Sequence, residues 1–170
     1  MTKIVARDDQ GKLVAVYAGT FDPMTNGHRD IMERAIKVFD KVIFAVAESS
    51  SKSPLFPASE RVELAKECLA DLGSNIEVKS FKGLLVEFVK SVNASIIIRG
   101  LRAVSDYEYE SQMAVINREL AADIETVFLM TSKRSSFISS SIVKQVASVG
   151  GDITGLVPGP VAAALKRKFG

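Results

Sequence analysis

Five short apolar runs, each followed by a polar break and then a helical period, limit what this chain can fold into. They are Val14–Ala18, Lys41–Ala47, Ile76–Phe81, Ser95–Ile98 and Thr126–Met130. Apolar residues in unbroken series suit strands covered on both faces, the condition met in parallel sheets. Ile76–Phe81 alternates instead, which suits a sheet edge. Between the runs, apolar residues recur at helical spacing: Ile31, Met32, Ala35, Ile36 and Phe39, then Val62, Ala65, Cys68, Leu69 and Leu72. Leu85, Phe88 and Val89 mark a short helix, and Tyr109, Met113, Ile116 and Leu120 line a face of a long one. Helix ends are read from Ser59 as a cap, Gly73 as a stop, and a Ser105–Glu108 capping box. Pro158 and Pro160 open the last helix, and Lys166, Arg167 and Lys168 suit its negative end.

The pattern predicts an α/β fold: a single doubly wound, Rossmann-like domain over residues 13–170, with a five-stranded, mostly parallel sheet and helices on both faces. Residues 1–12 are polar and are expected to be a flexible leader. In such sheets ligands lie beyond the carboxyl ends of the strands, near the point where strand order reverses. Four polar stretches follow strands and would share that edge: Gly19–His28, Glu48–Pro54, Arg99–Arg102 and Ser132–Ser141. Together they bring one His, one Lys, two Arg and a serine cluster to a common crevice.

Gly19-Thr20-Phe21-Asp22-Pro23-Met24-Thr25-Asn26-Gly27-His28 is the most informative of these. A strand, a Gly-containing loop and a helix N-terminus in that order aim main-chain N–H groups at one spot, which favours phosphate. The letters match neither the dinucleotide fingerprint nor the Walker loop. His28 is the only histidine, and no cap or core role is expected to require it at a helix entry. Arg99 and Arg102 emerge from an apolar strand and need an anion, but Asp106, Glu108 or Glu110 could supply it as readily as a ligand. Ser139, Ser140 and Ser141 suit a helix N-cap as well as a phosphate.

Composition excludes more than it selects. A net charge of +2 gives no argument for nucleic acid. One cysteine, Cys68, forms no internal disulfide and falls on an apolar helix face, so it is expected in the core. One Cys and one His make no structural zinc site. No apolar run approaches a membrane span, and residues 1–10 lack a secretory apolar segment, so a cytoplasmic location is expected.

With those stretches in place, the chain resembles the bacterial pantetheine-phosphate adenylyltransferases, nucleotidyltransferases that share their fold with class I aminoacyl-tRNA synthetases. The resemblance rests on Tyr17–Pro23 with Thr25-Asn26-Gly27-His28, on Ile98–Ala103, on Tyr107-Glu108-Tyr109-Glu110 and on Ser136–Ser141. It implies reversible transfer of an adenylyl group from ATP to 4′-phosphopantetheine, giving dephospho-coenzyme A and pyrophosphate. By the same resemblance, His28 would stabilise the transition state, with Thr20 beside it. ATP would meet Thr20, Phe21, His28, Gly100, Leu101, Arg102, Glu110, Ser135, Ser136, Phe137, Ile138, Ser139, Ser140 and Ser141. Phosphopantetheine would meet Thr20, Lys52, Leu85 and Arg99. It further implies Mg²⁺ carried mainly on ATP phosphates with no protein metal ligands, a homohexamer, and coenzyme A as feedback inhibitor. Two positions depart from the family pattern: Ala18 stands where Pro is usual, and Ser135 where Trp is common.

The nearest rivals are sister enzymes that transfer a nucleotidyl group to nicotinamide mononucleotide or to glycerol phosphate. A nucleotide-binding regulatory module without turnover is a rival of another kind, and retention of His28 beside Thr20 speaks against it. An RNA-binding role has little support from so modest a charge.

Overall fold

The apolar run at Val14 becomes the middle strand of the sheet, buried along nearly its whole length. The computed structural model describes residues 7–8, 10–48, 53–102 and 104–170, with the main chain alone at 104 and 105. Within them the order is β1 (Val14–Gly19), α1 (Asn26–Ala35), β2 (Lys41–Ala47), α2 (Ala58–Leu69), β3 (Ile76–Phe81), α3 (Leu85–Ser91), β4 (Ile96–Leu101), α4 (Val104–Leu120), β5 (Glu125–Met130), α5 (Ser140–Ser148) and α6 (Gly159–Phe169). The strands lie in the order β3-β2-β1-β4-β5, and every ladder is parallel. The chain winds outward from β1 to β3, then returns to the other side of β1 for β4 and β5. The reversal point is therefore the β1–β4 seam.

Alternation along β1 splits the core in two. Ala15 and Tyr17 face a layer that includes Ile31, Met32, Leu64, Cys68, Val143 and Leu165, from α1, α2, α5 and α6. Val14, Val16 and Ala18 face the opposite layer with Val86, Val89 and Ile124. Burying an aliphatic side chain of this kind contributes about 1.5–3 kcal/mol, so both layers hold the sheet. Cys68 is buried as expected.

Several local expectations need correction. Arg99, Gly100 and Leu101 belong to β4 and do not form a loop, because β5 supplies ladder partners as far as Leu101↔Met130. Ser59 lies inside α2, whose N-cap is the extended Pro57, and the C-cap is Ala70, with Gly73 in the turn beyond. The buried face of α2 carries Arg61 and Leu64 beside Ala65, Cys68 and Leu69. The apolar face expected on α4 needs no correction: Tyr109, Ile116 and Leu120 lie on it, exposed. The Ser105 side chain, residues 49–52 with Lys52, and most of the expected leader lie outside what is described.

β1 and β4 pair only over Ala15↔Ile96, Val16↔Ile97 and Tyr17↔Ile98. Both strands continue past that point, and they part there. The fork between their carboxyl ends is where the site lies.

Candidate active site

A cavity of about 280 Å³ fills the fork. Its walls include Ala18, Gly19 and Thr20 from β1 and its loop, Arg99 and Gly100 from β4 with Arg102 just past its end, Gly27 and His28 from α1, and Ser139, Ser140 and Ser141 from the start of α5. Phe21, Glu110 and Ile138 also line it. Of the residues expected at the site, the fold thus gathers Thr20, Phe21, His28, Arg99, Gly100, Arg102, Glu110, Ile138 and the three serines. Leu101 is buried to one side, where its carbonyl accepts from Thr131 N–H at 2.9 Å. Ser135 is also buried off the cavity, Ser136 Oγ donates to the Lys133 carbonyl, and Phe137 is 65% exposed. These four are not among the lining residues. Leu85 lines a second cavity of about 300 Å³, with Phe81, Tyr109, Met113, Ala47 and Thr126. Ala18, Gly19, Thr20 and Arg99 border both cavities and form the wall between them.

The loop after β1 is built around Phe21, which has φ +47°. A left-handed conformation in a bulky residue costs about 1–3 kcal/mol, and packing offsets that cost. The Phe21 ring stacks on Phe44 at 4.0 Å and meets His28 edge-on at 4.9 Å. It also covers Gly19, where an added Cβ would sit 3.0 Å from the ring. Next in the chain, the buried Asp22 carboxylate accepts from Leu55 N–H at 2.9 Å, Phe56 N–H at 3.0 Å and Lys144 Nζ at 2.8 Å. Burial alone would raise its pKa, but these three donors together hold it below the usual carboxylate value. Asp22 thereby ties the β1 loop to the entry of α2 and to α5.

His28 does have a cap role, contrary to expectation. Thr25 is the N-cap of α1, and His28, at the third helical position, completes a capping box. Thr25 N–H donates to His28 Nδ1 at 3.0 Å, while His28 N–H donates to Thr25 Oγ1 at 3.4 Å. An Nδ1 that accepts carries no proton, so the neutral ring bears its proton on Nε2. Burial, then Arg102 and Arg99, push the imidazole pKa down to about 3. The ring is a neutral hydrogen-bond donor, not an imidazolium.

The arginine question, open on position alone, is resolved by ion pairs. Arg99 Nε and Nη2 grip Glu110 at 2.6 and 2.7 Å, and its Nη1 donates to the Ala18 carbonyl at 2.6 Å. The guanidinium thus spans the parted strands where the ladder stops. Arg102 pairs with Asp106, both Nε and Nη2 lying at 3.0 Å. Bidentate pairs of this kind fix the plane of each guanidinium. On the opposite wall, Ser139 caps α5 through Ile142 N–H, and Ser140 Oγ donates to the Pro23 carbonyl at 2.8 Å. The N-termini of α1 and α5 therefore meet at one cavity, an arrangement suited to holding anions.

Sequence reasoning missed Asp22, Lys144, Thr25 and Arg61 as parts of this assembly. Arg61 carried a legible signal: it stands three and four residues before Leu64 and Ala65, on the same buried stripe.

Residues 16–146 match the family model described as cytidylyltransferase-like. The chain is 56% identical over 156 residues to the phosphopantetheine adenylyltransferase of Geotalea daltonii, covering 92% of this chain and 96% of the relative. It is 54% identical to that of Moorella thermoacetica, covering 92% and 98%, and 51% identical to that of Thioalkalivibrio sulfidiphilus, covering 94% and 99%. The fold is also that of a nicotinate-nucleotide adenylyltransferase candidate from Vibrio parahaemolyticus, with a TM-score of 0.70 at 16% identity over 93% of this chain and 94% of the other. A neutral histidine at the parted β1–β4 seam and this degree of identity along nearly the whole length agree: the chain belongs to the phosphopantetheine adenylyltransferases of the cytidylyltransferase-like family.

Proposed function

We propose that the protein transfers an adenylyl group reversibly from ATP to 4′-phosphopantetheine, yielding dephospho-coenzyme A and pyrophosphate, a step of coenzyme A biosynthesis. The observation that carries the reading is the wall shared by the two cavities. The polar one, under the α1 and α5 N-termini, suits a triphosphate; the other, lined by Phe81, Leu85 and Met113, suits the pantetheine arm. Thr20 and Arg99 stand between them, where an acceptor phosphate could face an α-phosphorus.

The attacking group is a phosphate monoester, dianionic at neutral pH because its second pKa is about 6. It needs no general base. The obstacle is repulsion between two anions, and the site answers with charge and geometry. Arg99 meets the acceptor phosphate, with Lys52 as its expected companion, while Arg102 and Ser139–Ser141 hold the departing pyrophosphate. His28 donates Nε2–H to an α-phosphoryl oxygen as charge builds there during in-line displacement. Because the ring is neutral, its donation does not depend on a protonation step near pH 7. Catalysis on this reading is positioning and charge placement, with no covalent intermediate.

Asp106 and Glu110, two carboxylates of the first cavity, are held by Arg102 and Arg99. That donor set suits Mg²⁺ arriving with the triphosphate as MgATP, so the ion belongs to the substrate. Tyr109, Ile116 and Leu120 on α4 are exposed apolar side chains, and they support self-association, here proposed as a homohexamer. Among the described residues no helix is long and apolar enough to cross a membrane. Coenzyme A feedback and a cytoplasmic location complete the proposal.

The deciding assay follows pyrophosphate release from ATP with phosphopantetheine, nicotinamide mononucleotide and glycerol phosphate in parallel. Turnover with phosphopantetheine alone is the expected result. Preference for another acceptor would reassign the enzyme, and ATP binding without pyrophosphate–ATP exchange would make it a regulatory module.

A further inference from the structure

Arg61 is 2% exposed, on the apolar face of α2, and among the described residues no carboxylate is bonded to it. Its Nε donates to the Phe56 carbonyl at 3.0 Å, and its Nη1 donates to the carbonyls of Thr20 and, at 2.9 Å, Ala47. Nη2 has no hydrogen-bond partner among the described residues. Asp22 and Glu48 act on it only through space, and burial pulls its pKa below the usual arginine value. A guanidinium kept at this depth without a bonded counter-ion is a poor source of stability. Its three carbonyls come from three separate places: the loop after β1, the end of β2 and the entry to α2.

Thr20 and Ala47 both line the second cavity, beside Leu85 and Arg99, and Arg61 reaches them from behind. The Thr20 carbonyl belongs to the peptide that precedes Phe21. Rotation of that peptide would let Phe21 leave its left-handed conformation, and it would swing Thr20 away from the wall between the cavities. Arg61 opposes that rotation by holding the oxygen. Phe56 is fixed from its other side as well, since its N–H donates to Asp22.

We propose that Arg61 is a positioning residue for the acceptor half of adenylyl transfer, its fork setting the spacing of Thr20 and Ala47 in the wall that phosphopantetheine meets. The inference rests on the adenylyl-transfer reading above. Lysine keeps the charge but offers no planar fork, so it cannot hold the Phe56, Thr20 and Ala47 carbonyls in one geometry.

The test prepares Arg61→Lys and Arg61→Met in the full chain and measures thermal unfolding, kcat, and KM for ATP and for phosphopantetheine separately. In folded variants, KM for phosphopantetheine should rise about tenfold and kcat should fall about tenfold, with KM for ATP within about twofold of wild type. A residue that only stabilises the fold would lower the melting temperature and leave both KM values alone. The inference is overturned by unchanged phosphopantetheine KM, by equal loss on both substrates, or by failure of both variants to fold. A wild-type protein inert toward phosphopantetheine would instead defeat the functional reading first, and this inference with it.

Discussion

The main-chain N–H of Thr25 points at Nδ1 of His28, 3.0 Å away, and this one bond fixes which ring nitrogen carries the proton. The catalytic histidine of the proposed reaction is therefore also the third residue of a helix cap, and its tautomer is set by the fold before any substrate arrives.

The first prediction concerns that tautomer. His28 is the only histidine, so nitrogen-15 spectra of untagged protein report it without assignment work. They should show Nε2 protonated and Nδ1 bare from pH 8 down to about pH 5, given a pKa lowered to about 3. The unfolded chain binds this proton at about pH 6.5, so between there and pH 3 the unfolded state holds more protons. Stability should thus be full above that window and fall as pH drops through it, as acid titrations of chemical unfolding would read. An imidazolium signal at pH 6 would contradict the capping geometry.

Replacing His28 by Ala should lower kcat by about 10²–10³ with much smaller changes in either KM, since the donor acts on charge that develops in the transition state. Steady-state kinetics with each substrate varied decides it. A matched loss of affinity and rate would make the ring a ground-state contact.

Asp22→Asn removes the charge facing Lys144 and leaves one acceptor where two main-chain donors and an ammonium now converge. Lys144 is partly exposed and can turn to water, which reduces the penalty. The expected cost is about 2–3 kcal/mol in urea unfolding. Because the folded carboxyl titrates below its unfolded value, its contribution is complete above about pH 4 and fades as pH falls through the folded pKa.

Arg99→Ala should weaken phosphopantetheine more than ATP and destabilise the protein as well. It leaves Glu110 in a largely buried position without its bidentate partner, and Ala18 without the donor that bridges the strands. A stability loss of about 2–4 kcal/mol is expected by denaturant titration. Loss confined to ATP would reverse the assignment of the two cavities.

Gly19→Ala should be harmful in spite of its small size. The new methyl would meet the Phe21 ring at 3.0 Å, and that ring is held by Phe44 and His28 and cannot retreat. The expected result is a drop in kcat, with a stability loss of about 1–3 kcal/mol by thermal melt.

Most of the fold was legible because strands covered on both faces declare themselves as apolar runs; β2 and β3 begin and end where the runs do. Arg99 was misread as loop because its pairing depends on Phe128 of β5, far along the chain, and local pattern carries no trace of that partner. The site was legible in its parts: Thr20, His28, Arg102 and the serines converge because parallel strands end on one edge. What letters could not give is how those parts bond. His28 reads as free because its partner is a main-chain N–H, and Asp22 and Arg61 went unmarked because most of their partners are likewise peptide groups.

The parting of β1 from β4 beyond Tyr17 and Ile98 has one further consequence. It leaves peptide units facing a cleft at the carboxyl edge of the sheet, where an uninterrupted ladder would have zipped them shut. Those units survive any amino-acid exchange that does not bring in proline, since such a substitution alters what hangs from the backbone and leaves the peptide groups. The opening can therefore be retuned toward other guests by changing its fringe, while its capacity to receive one is inherited from the strand order itself.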